Sequence, residues 1–450
     1  MLLRCITVCL AAGIALTLAR FSVQATPSSN LPPIVYTLAK TYDELAWMRG
    51  GERFPDGAAI MIENANGKRP LLPNFAASAD PAVSFDGQRV LFSGKPKAED
   101  RWQIWEIEIA SGELKRLSTG DEDCVRPFYL PDERIVYSRK RDGRFVVEVS
   151  NPPTGKPLVL TYGPSNFLAT DMLRDGRVLF EAAYPLGSNA KPDLYTVYPD
   201  GSGVESYRCD HGAMHREGRQ LSSGDIVFAS PSGLGRFTSA RAQEIRIAAP
   251  KGEYAGDVAE LPSGAWLLPW RPDAGVPFQL VTWEMNEAAI RALIREDGAG
   301  AIQPLVIGAR AVPKRFPSGL HDWNNANLLC LNAYTSKYQF SERSIQQVRF
   351  YTRDSEGRPR LLGTAPVERD GSFFVQVPTE RPLQVELLDA SGKTLKREAG
   401  YFWMRRGEQR ACVGCHAGPE TSPENAVPQI LLKSTTPSDM TGAQSAAGGH

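Results

Sequence analysis

Apolar residues along this chain come in short runs that alternate with polar ones, and the runs are bounded by turn residues. Trp105-Glu106-Ile107-Glu108-Ile109 is the clearest case, with every second side chain apolar. A period of two belongs to strands with one buried face, not to helices. A second regularity lies above the first. A Pro or Leu, then Asp-Gly or Ser-Gly, then a short β-branched run recurs five times, at Phe85 to Phe92, Leu130 to Tyr137, Leu173 to Phe180, Leu221 to Phe228 and Leu261 to Leu268. The anchors Gly87, Glu133, Gly176, Gly224 and Gly264 are 46, 43, 48 and 40 residues apart. That is the period of a four-stranded propeller blade. Each anchor is assigned to the turn between a blade's first two strands, and Asp200-Gly201-Ser202-Gly203 to a turn before an outer strand.

Upstream, Ile34 to Tyr36, Ala58 to Ile62 and Pro70 to Leu72 read as the last three strands of one more blade. Its innermost strand is expected within Ala301 to Leu320, which would close the ring. Residues 26–320 are therefore predicted to be a six-bladed β-propeller, with five blades or an irregular all-β sandwich as alternatives. Leu320 to Tyr338 is a connector of weak periodicity. Longer alternating strands follow, Gly371 to Pro378 and Pro382 to Asp389, with a turn at Asp389-Ala390-Ser391-Gly392. These predict a small antiparallel β-sandwich, the connector and sandwich together occupying 321–400. A last strand through Tyr401 to Met404 leads into a segment at 401–428. Residues 429–450 are polar and poor in aromatics, which predicts a disordered tail.

Composition narrows the reading. The chain has 450 residues with 51 basic and 51 acidic side chains. Zero formal charge argues against nucleic acid or an anionic membrane surface as partner. The 40 Gly and 34 Pro suit many short strands joined by turns. At the N-terminus, Arg4, the apolar run Cys5 to Ala19 and the small-residue pattern Val23-Gln24-Ala25 have the form of a cleaved signal peptide, residues 1–25. The run is about 15 residues, short of the about 20 that a span requires. A periplasmic or secreted protein without a membrane span is expected.

The candidate chemistry lies at Cys412-Val413-Gly414-Cys415-His416. C-x-x-C-H is the spacing of c-type haem attachment. Two thiols two residues apart can each add to one vinyl group on a haem edge, and the following imidazole is placed to ligate the iron. A redox C-x-x-C pair needs no such His, and a zinc site would want a second nearby pair. Cys412, Cys415 and His416 are thus the candidate residues for covalent haem c, and export agrees with that attachment. The fold class is all-β: an N-terminal six-bladed β-propeller, a small antiparallel β-sandwich and a C-terminal c-type haem-binding segment. Tyr401, Met404 and Met440 are further axial candidates; Tyr401 and Met404 are expected to pack against the haem, and Met440 is the weakest of the three.

Three more cysteines, Cys124, Cys209 and Cys330, remain in the mature chain. Cys209-Asp210-His211-Gly212-Ala213-Met214-His215 is the other ligand-rich stretch. Cys124 and His215 each stand nine residues before their blade anchor, so they occupy equivalent places on one propeller face. With Asp123, Asp171 and Asp210 nearby, Cys124, Cys209, His211 and His215 form a candidate second locus for a metal ion such as zinc, facing the haem. Isolated loop histidines and a buried cysteine are the plainer explanation. Cys330, within Leu328-Leu329-Cys330-Leu331, is expected in the core.

The blade repeats, the run Leu362 to Phe373 (LGTAPVERDGSF) and Gly407 to His416 (GEQRACVGCH) together resemble the hydrazine synthase alpha-subunit family. The resemblance covers roughly residues 34 to 428 and implies a six-bladed propeller joined to a middle domain with covalent haem c. The full family subunit continues into another haem-bearing domain, so this chain is expected to be a shortened, single-haem relative. Two function classes follow. One is a haem-dependent redox enzyme or enzyme subunit acting on a small nitrogen or oxygen species, with other subunits or a redox protein as partner. The other is a non-catalytic electron-transfer or binding protein with a structural or redox haem.

Overall fold

The computed structural model describes residues 31–151, 155–184, 191–208, 212–285, 287–354, 356–414 and 426–442. Six antiparallel sheets form the propeller. Blade 1 is closed by the late strand Gly300–Val306, which pairs with Ile34–Ala39; Ala58–Asn64 and Gly67–Pro70 follow outward. Blade 2 is Ala77–Val83, Arg89–Lys95, Gln103–Glu108 and Leu114–Arg116. Blade 3 is Cys124–Tyr129, Ile135–Arg141, Arg144–Ser150 and Leu158–Val159. Blade 4 is Phe167–Met172, Val178–Ala183, Pro192–Val197 and Glu205–Ser206. Blade 5 is Arg216–Gln220, Ile226–Ser230, Gly233–Phe237 and Ile245–Arg246. In blade 6 two short pieces, Glu253–Tyr254 and Ala259–Glu260, share the partner Trp266–Arg271; Gln279–Trp283 and Arg291–Ile294 complete it.

The five anchors occupy the expected turns, and all have positive φ: Gly87 74°, Glu133 69°, Gly176 94°, Gly224 96° and Gly264 86°. Glycine takes that conformation without cost, and Glu133 shows that the turn and not the residue is the repeating unit. The outer strand of blade 1 is Gly67–Pro70, two residues earlier than the apolar pair Leu71-Leu72 suggested. Those leucines are buried beyond the strand's end, packing with Val83 and Val90 of blade 2.

The axis of the ring is filled. The loop between Ile34–Ala39 and Ala58–Asn64 brings Trp47, Met48 and Phe54 against Ala79, Val125, Leu168 and Ile302 of four inner strands and Ala255 in the break of blade 6's inner strand. Beneath this plug the inner strands carry bulges, or in blade 6 a break, where Asp80, Arg126, Glu217, Asp257 and Gln303 all have φ between 51° and 57° and all are buried. Non-glycine residues hold that conformation only where surrounding bonds enforce it. Here Gln303 Nε2 donates to Asp80 Oδ1 at 2.7 Å, and the Arg126 backbone N–H donates to Asp80 Oδ2 at 3.2 Å. Arg53 from the plug and Arg126 both bind the Glu217 carboxylate.

After blade 1 closes, the chain recrosses the face that carries the anchor turns. Arg310 N–H donates to Phe85 O at 2.8 Å, Lys314 N–H to Arg174 O at 2.9 Å, and Phe316 stacks on Tyr198 at 3.7 Å. The second domain is a sandwich of two four-stranded sheets. One runs Gln409–Cys412, Ala326–Cys330, Phe373–Val377, Ser438–Asp439; the other Pro359–Pro366, Gln347–Arg353, Gln384–Leu388, Thr394–Arg397. Both outer strands of the first sheet are parallel to their neighbours, so the sandwich is antiparallel only in part.

Three expectations change here. The connector of weak periodicity contains a central strand, Ala326–Cys330, buried on alternate residues. The segment Tyr401 to Met404 is no strand; it holds a single bridge, Phe402 to Leu383. The tail is ordered through Gly442, with a short helix Gln429–Lys433 and the strand Ser438–Asp439. Its apolar content is low, but it finds partners ready made. Asp370 Oδ2 accepts Gln429 N–H at 2.7 Å, Ser372 Oγ accepts Ile430 N–H at 3.1 Å, and Met440 is buried in the sandwich core. Residues 443–450 lie outside the described residues.

Candidate cofactor site

Cys412 ends the edge strand Gln409–Cys412, in register with Cys330 on the neighbouring strand. Its carbonyl accepts the Leu331 N–H at 2.8 Å. The strand is fixed from below by Glu408, a buried carboxylate. Glu408 Oε1 accepts Gly203 N–H of blade 4 at 3.0 Å and Arg410 Nη2 at 2.6 Å, while Oε2 accepts Arg405 N–H at 2.8 Å. Arg410 also donates to Val204 O and Trp403 O. Trp403 is inserted between blades 3 and 4, where its Nε1 donates to Leu160 O at 2.9 Å and its ring meets Phe167. The run before C-x-x-C-H is thus the hinge plate between the two domains.

Gly414 is enclosed. A Cβ there would overlap the carbonyl oxygens of Thr335 and Asn332, so only glycine lets the motif lie this close to the loop.

Cys412 and Gly414 open onto a cleft of about 1070 Å³ that is partly open to solvent. Leu328, Cys330 and Phe373 from one sheet and Val385 and Leu387 from the other form its floor, so the cleft enters between the sheets at their free edges. Tyr338, Phe340, Tyr401 and Phe402 add aromatic walls, and blades 4 and 5 cover it with Tyr195, Val204, Glu205, Ser206 and Arg241. Burial pushes the Cys412 thiol up, against the pull of Arg410 and Arg241. A large apolar recess with a thiol at its margin and cations on its rim suits a flat, apolar, carboxylate-bearing macrocycle such as haem. The residues present therefore fit the group. Cys415 and His416 lie outside the described residues.

Among the further axial candidates, Tyr401 lines the cleft, its hydroxyl accepting from Arg353 Nε at 2.7 Å. Met404 and Met440 are core residues of the sandwich instead. Cys330 is buried, as expected, yet it also borders the cleft.

The second locus does not form from its described members. Cys124 starts the inner strand of blade 3, fully buried, with Sγ 3.7 Å from Glu122 O; burial raises its thiol to about 12. His215 precedes the inner strand of blade 5, and both ring nitrogens face carboxylates: Nδ1 to Asp193 Oδ1 at 2.7 Å and Nε2 to Glu244 Oε2 at 3.3 Å. Burial opposes its protonation, but Asp193 and Glu244 outweigh it and raise the pKa. Asp171 is spent on the Met172 and Gln220 N–H groups, and Asp123 on that of Trp102. Among the described residues no group of three His, Cys, Asp or Glu side chains could hold a metal ion. Cys124 and His215 hold equivalent places in blades 3 and 5 but bind separate partners. Cys209, Asp210 and His211 lie outside the described residues.

The alternation pattern missed Arg241, Glu205 and Tyr338 as cleft residues. No local signal marks them, because the cleft exists only where the two domains meet.

Residues 332–417 match the family model described as hydrazine synthase alpha subunit middle domain. A stretch of 77 residues is 31% identical to the hydrazine synthase subunit alpha of Kuenenia stuttgartiensis, covering 17% of this chain and 10% of that protein. The match thus spans about a tenth of the curated relative's length. In structure, the chain aligns with Kuenenia stuttgartiensis hydrazine synthase at a TM-score of 0.75 and 14% identity, over 89% of this chain and 71% of the other. TolB from Acinetobacter baumannii aligns at a TM-score of 0.47 and 14% identity, over 63% of this chain and 67% of that one, and carries no weight here. The likeness is one of sequence in the sandwich and of fold over most of the chain.

Proposed function

We propose that this hydrazine synthase alpha-subunit-like chain is an exported c-type haem protein acting in redox chemistry on a small nitrogen or oxygen species, as an enzyme or one subunit of an enzyme. The observation that carries the reading is the placement of Cys412, the first thiol of C-x-x-C-H, on the margin of an aromatic cleft between sandwich and propeller. Cys412 and Cys415 would hold the haem, and His416 would be an axial ligand. Bound there, haem c supplies an iron that cycles between two oxidation states.

The chain's own residues do the rest. Leu328, Phe373, Val385 and Leu387 exclude water from the floor, and Tyr195 and Val204 close the cleft from the propeller. Glu408 and Arg410 fix the attachment strand to blade 4. The relative's printed name denotes a subunit, which supports other subunits as partners. Among the described residues no helix is long and apolar enough to cross a membrane.

The test is haem staining after denaturing electrophoresis of the protein recovered from a periplasmic fraction. Staining is expected in the unsubstituted chain and absent when Cys412→Ser and Cys415→Ser are combined. A stained double variant, or an unstained parent, overturns the reading.

A further inference from the structure

Three cationic side chains border the cleft: Arg241, Lys396 and Arg410. They are not equivalent. Arg410 is committed to protein acceptors, Glu408 Oε1 and the carbonyls of Val204 and Trp403. Arg241 is paired with Glu205, Nη2 to Oε2 3.2 Å, and it bears on the Cys412 thiol, so it belongs to the attachment side. Lys396 comes from the opposite sheet, on the edge strand Thr394–Arg397. Its ammonium lies 3.9 Å from the centroid of the Tyr338 ring, and both residues line the cleft. A cation–π contact holds an ammonium in place without neutralising it.

Haem is lopsided in its chemistry. Thioethers to a C-x-x-C-H motif form on the vinyl edge, and two propionate carboxylates leave the opposite edge. A macrocycle pinned at Cys412 on one sheet edge therefore directs its propionates across the cleft, toward the facing edge. An anion entering a recess with apolar walls needs a counter-charge there.

We propose that Lys396 is the counter-ion for a haem propionate, with the Tyr338 ring as the platform that positions it. This rests on the haem reading of the cleft. Lys396 is a positioning residue for the cofactor, and the charge it brings stabilises the reduced state of a nearby redox group relative to the oxidised one.

The experiment uses the exported holoprotein and compares it with Lys396→Gln and Lys396→Arg. Haem stain and haem-to-protein ratio come first, then the midpoint potential and the propionate bending band in resonance Raman. The Gln variant is expected to keep covalent haem, shift the midpoint negative and move the propionate band. The Arg variant is expected to keep the parent potential while moving the band, and it decides the matter if the Gln variant does not accumulate. Haem retained with neither potential nor band moved in the variants overturns the Lys396 assignment alone. A parent without covalent haem overturns this proposal together with the cofactor reading.

Discussion

The carboxylate of Glu408 accepts the backbone N–H of Gly203 at 3.0 Å, across 205 residues of sequence. Gly203 ends the Asp200–Gly203 turn of blade 4, with φ 65°, and Glu408 lies four residues before the first motif cysteine. The same carboxylate carries Arg410, so one buried group ties both the blade 4 turn and the strand Gln409–Cys412.

Glu408→Ala should therefore cost about 2 kcal/mol, the order expected when charge-assisted hydrogen bonds to a buried carboxylate are lost while Arg410 keeps its bonds to Val204 O and Trp403 O. Urea unfolding followed by tryptophan fluorescence reads it, since Trp403 is in the joint. An unchanged midpoint would show that the remaining contacts, Trp403 Nε1 to Leu160 O and Arg410 to Val204 O among them, hold the domains without Glu408.

Gly414→Ala acts on the motif and not on the propeller. The added methyl meets Thr335 O and Asn332 O, both backbone atoms that cannot swing aside. The expected result is a several-fold lower haem-to-protein ratio with the circular dichroism of the β-sheets retained. A normal ratio would mean that the motif leaves this loop when haem is attached.

His416→Ala addresses the axial ligand. The variant should still stain for covalent haem, because both thiols remain, but its Soret band should move. An unmoved band would shift the ligand to another side chain, with Tyr401, already lining the cleft, the first to substitute.

Glu217→Gln strikes the propeller axis. Arg53 and Arg126 are both buried and both depend on that carboxylate. Losing its charge should cost about 3 to 5 kcal/mol, far above the effect of any exposed pair. Thermal unfolding of the purified chain tests this. A loss below about 1 kcal/mol would show that water compensates the two guanidinium groups.

His215 makes stability depend on pH. Its pKa is raised in the folded chain by Asp193 and Glu244. The contribution is complete below about pH 6.5, where the unfolded side chain is also protonated, and is lost as pH rises through the raised native value. The melting-temperature difference between the parent and His215→Gln should therefore be larger at about pH 5.5 than at about pH 8.5. Equal differences would leave packing between Phe228 and Phe237 as the only role of the ring.

Much of the architecture is legible without coordinates. The recurrence of Asp-Gly and Ser-Gly anchors reveals the blades because a four-stranded sheet has a nearly constant length, and each copy needs a left-handed turn at one place. Ring closure by Gly300–Val306 is legible too, since three orphan strands at the start demand a fourth. C-x-x-C-H is a local pattern, so the sequence alone raises the haem expectation that the staining experiment tests.

What tertiary structure decides is whatever depends on groups far apart in the chain. Asp80, Arg126, Glu217 and Gln303 are polar residues of inner strands, and only the bulges bring them together, Gln303 and Arg126 on Asp80 and Arg126 on Glu217. The tail beyond Pro428 has no period of its own, yet Asp370, Ser372 and the open edge at Phe373–Val377 order it. Cys124 and His215 share an offset but no partner, because side-chain direction and partners are set by neighbours the spacing cannot see. The cleft beside Cys412 belongs to neither domain alone. Residues from 195 to 414 meet there only once Trp403 and Glu408 have docked the sandwich on blade 4, and that packing has no signature in any single stretch of sequence.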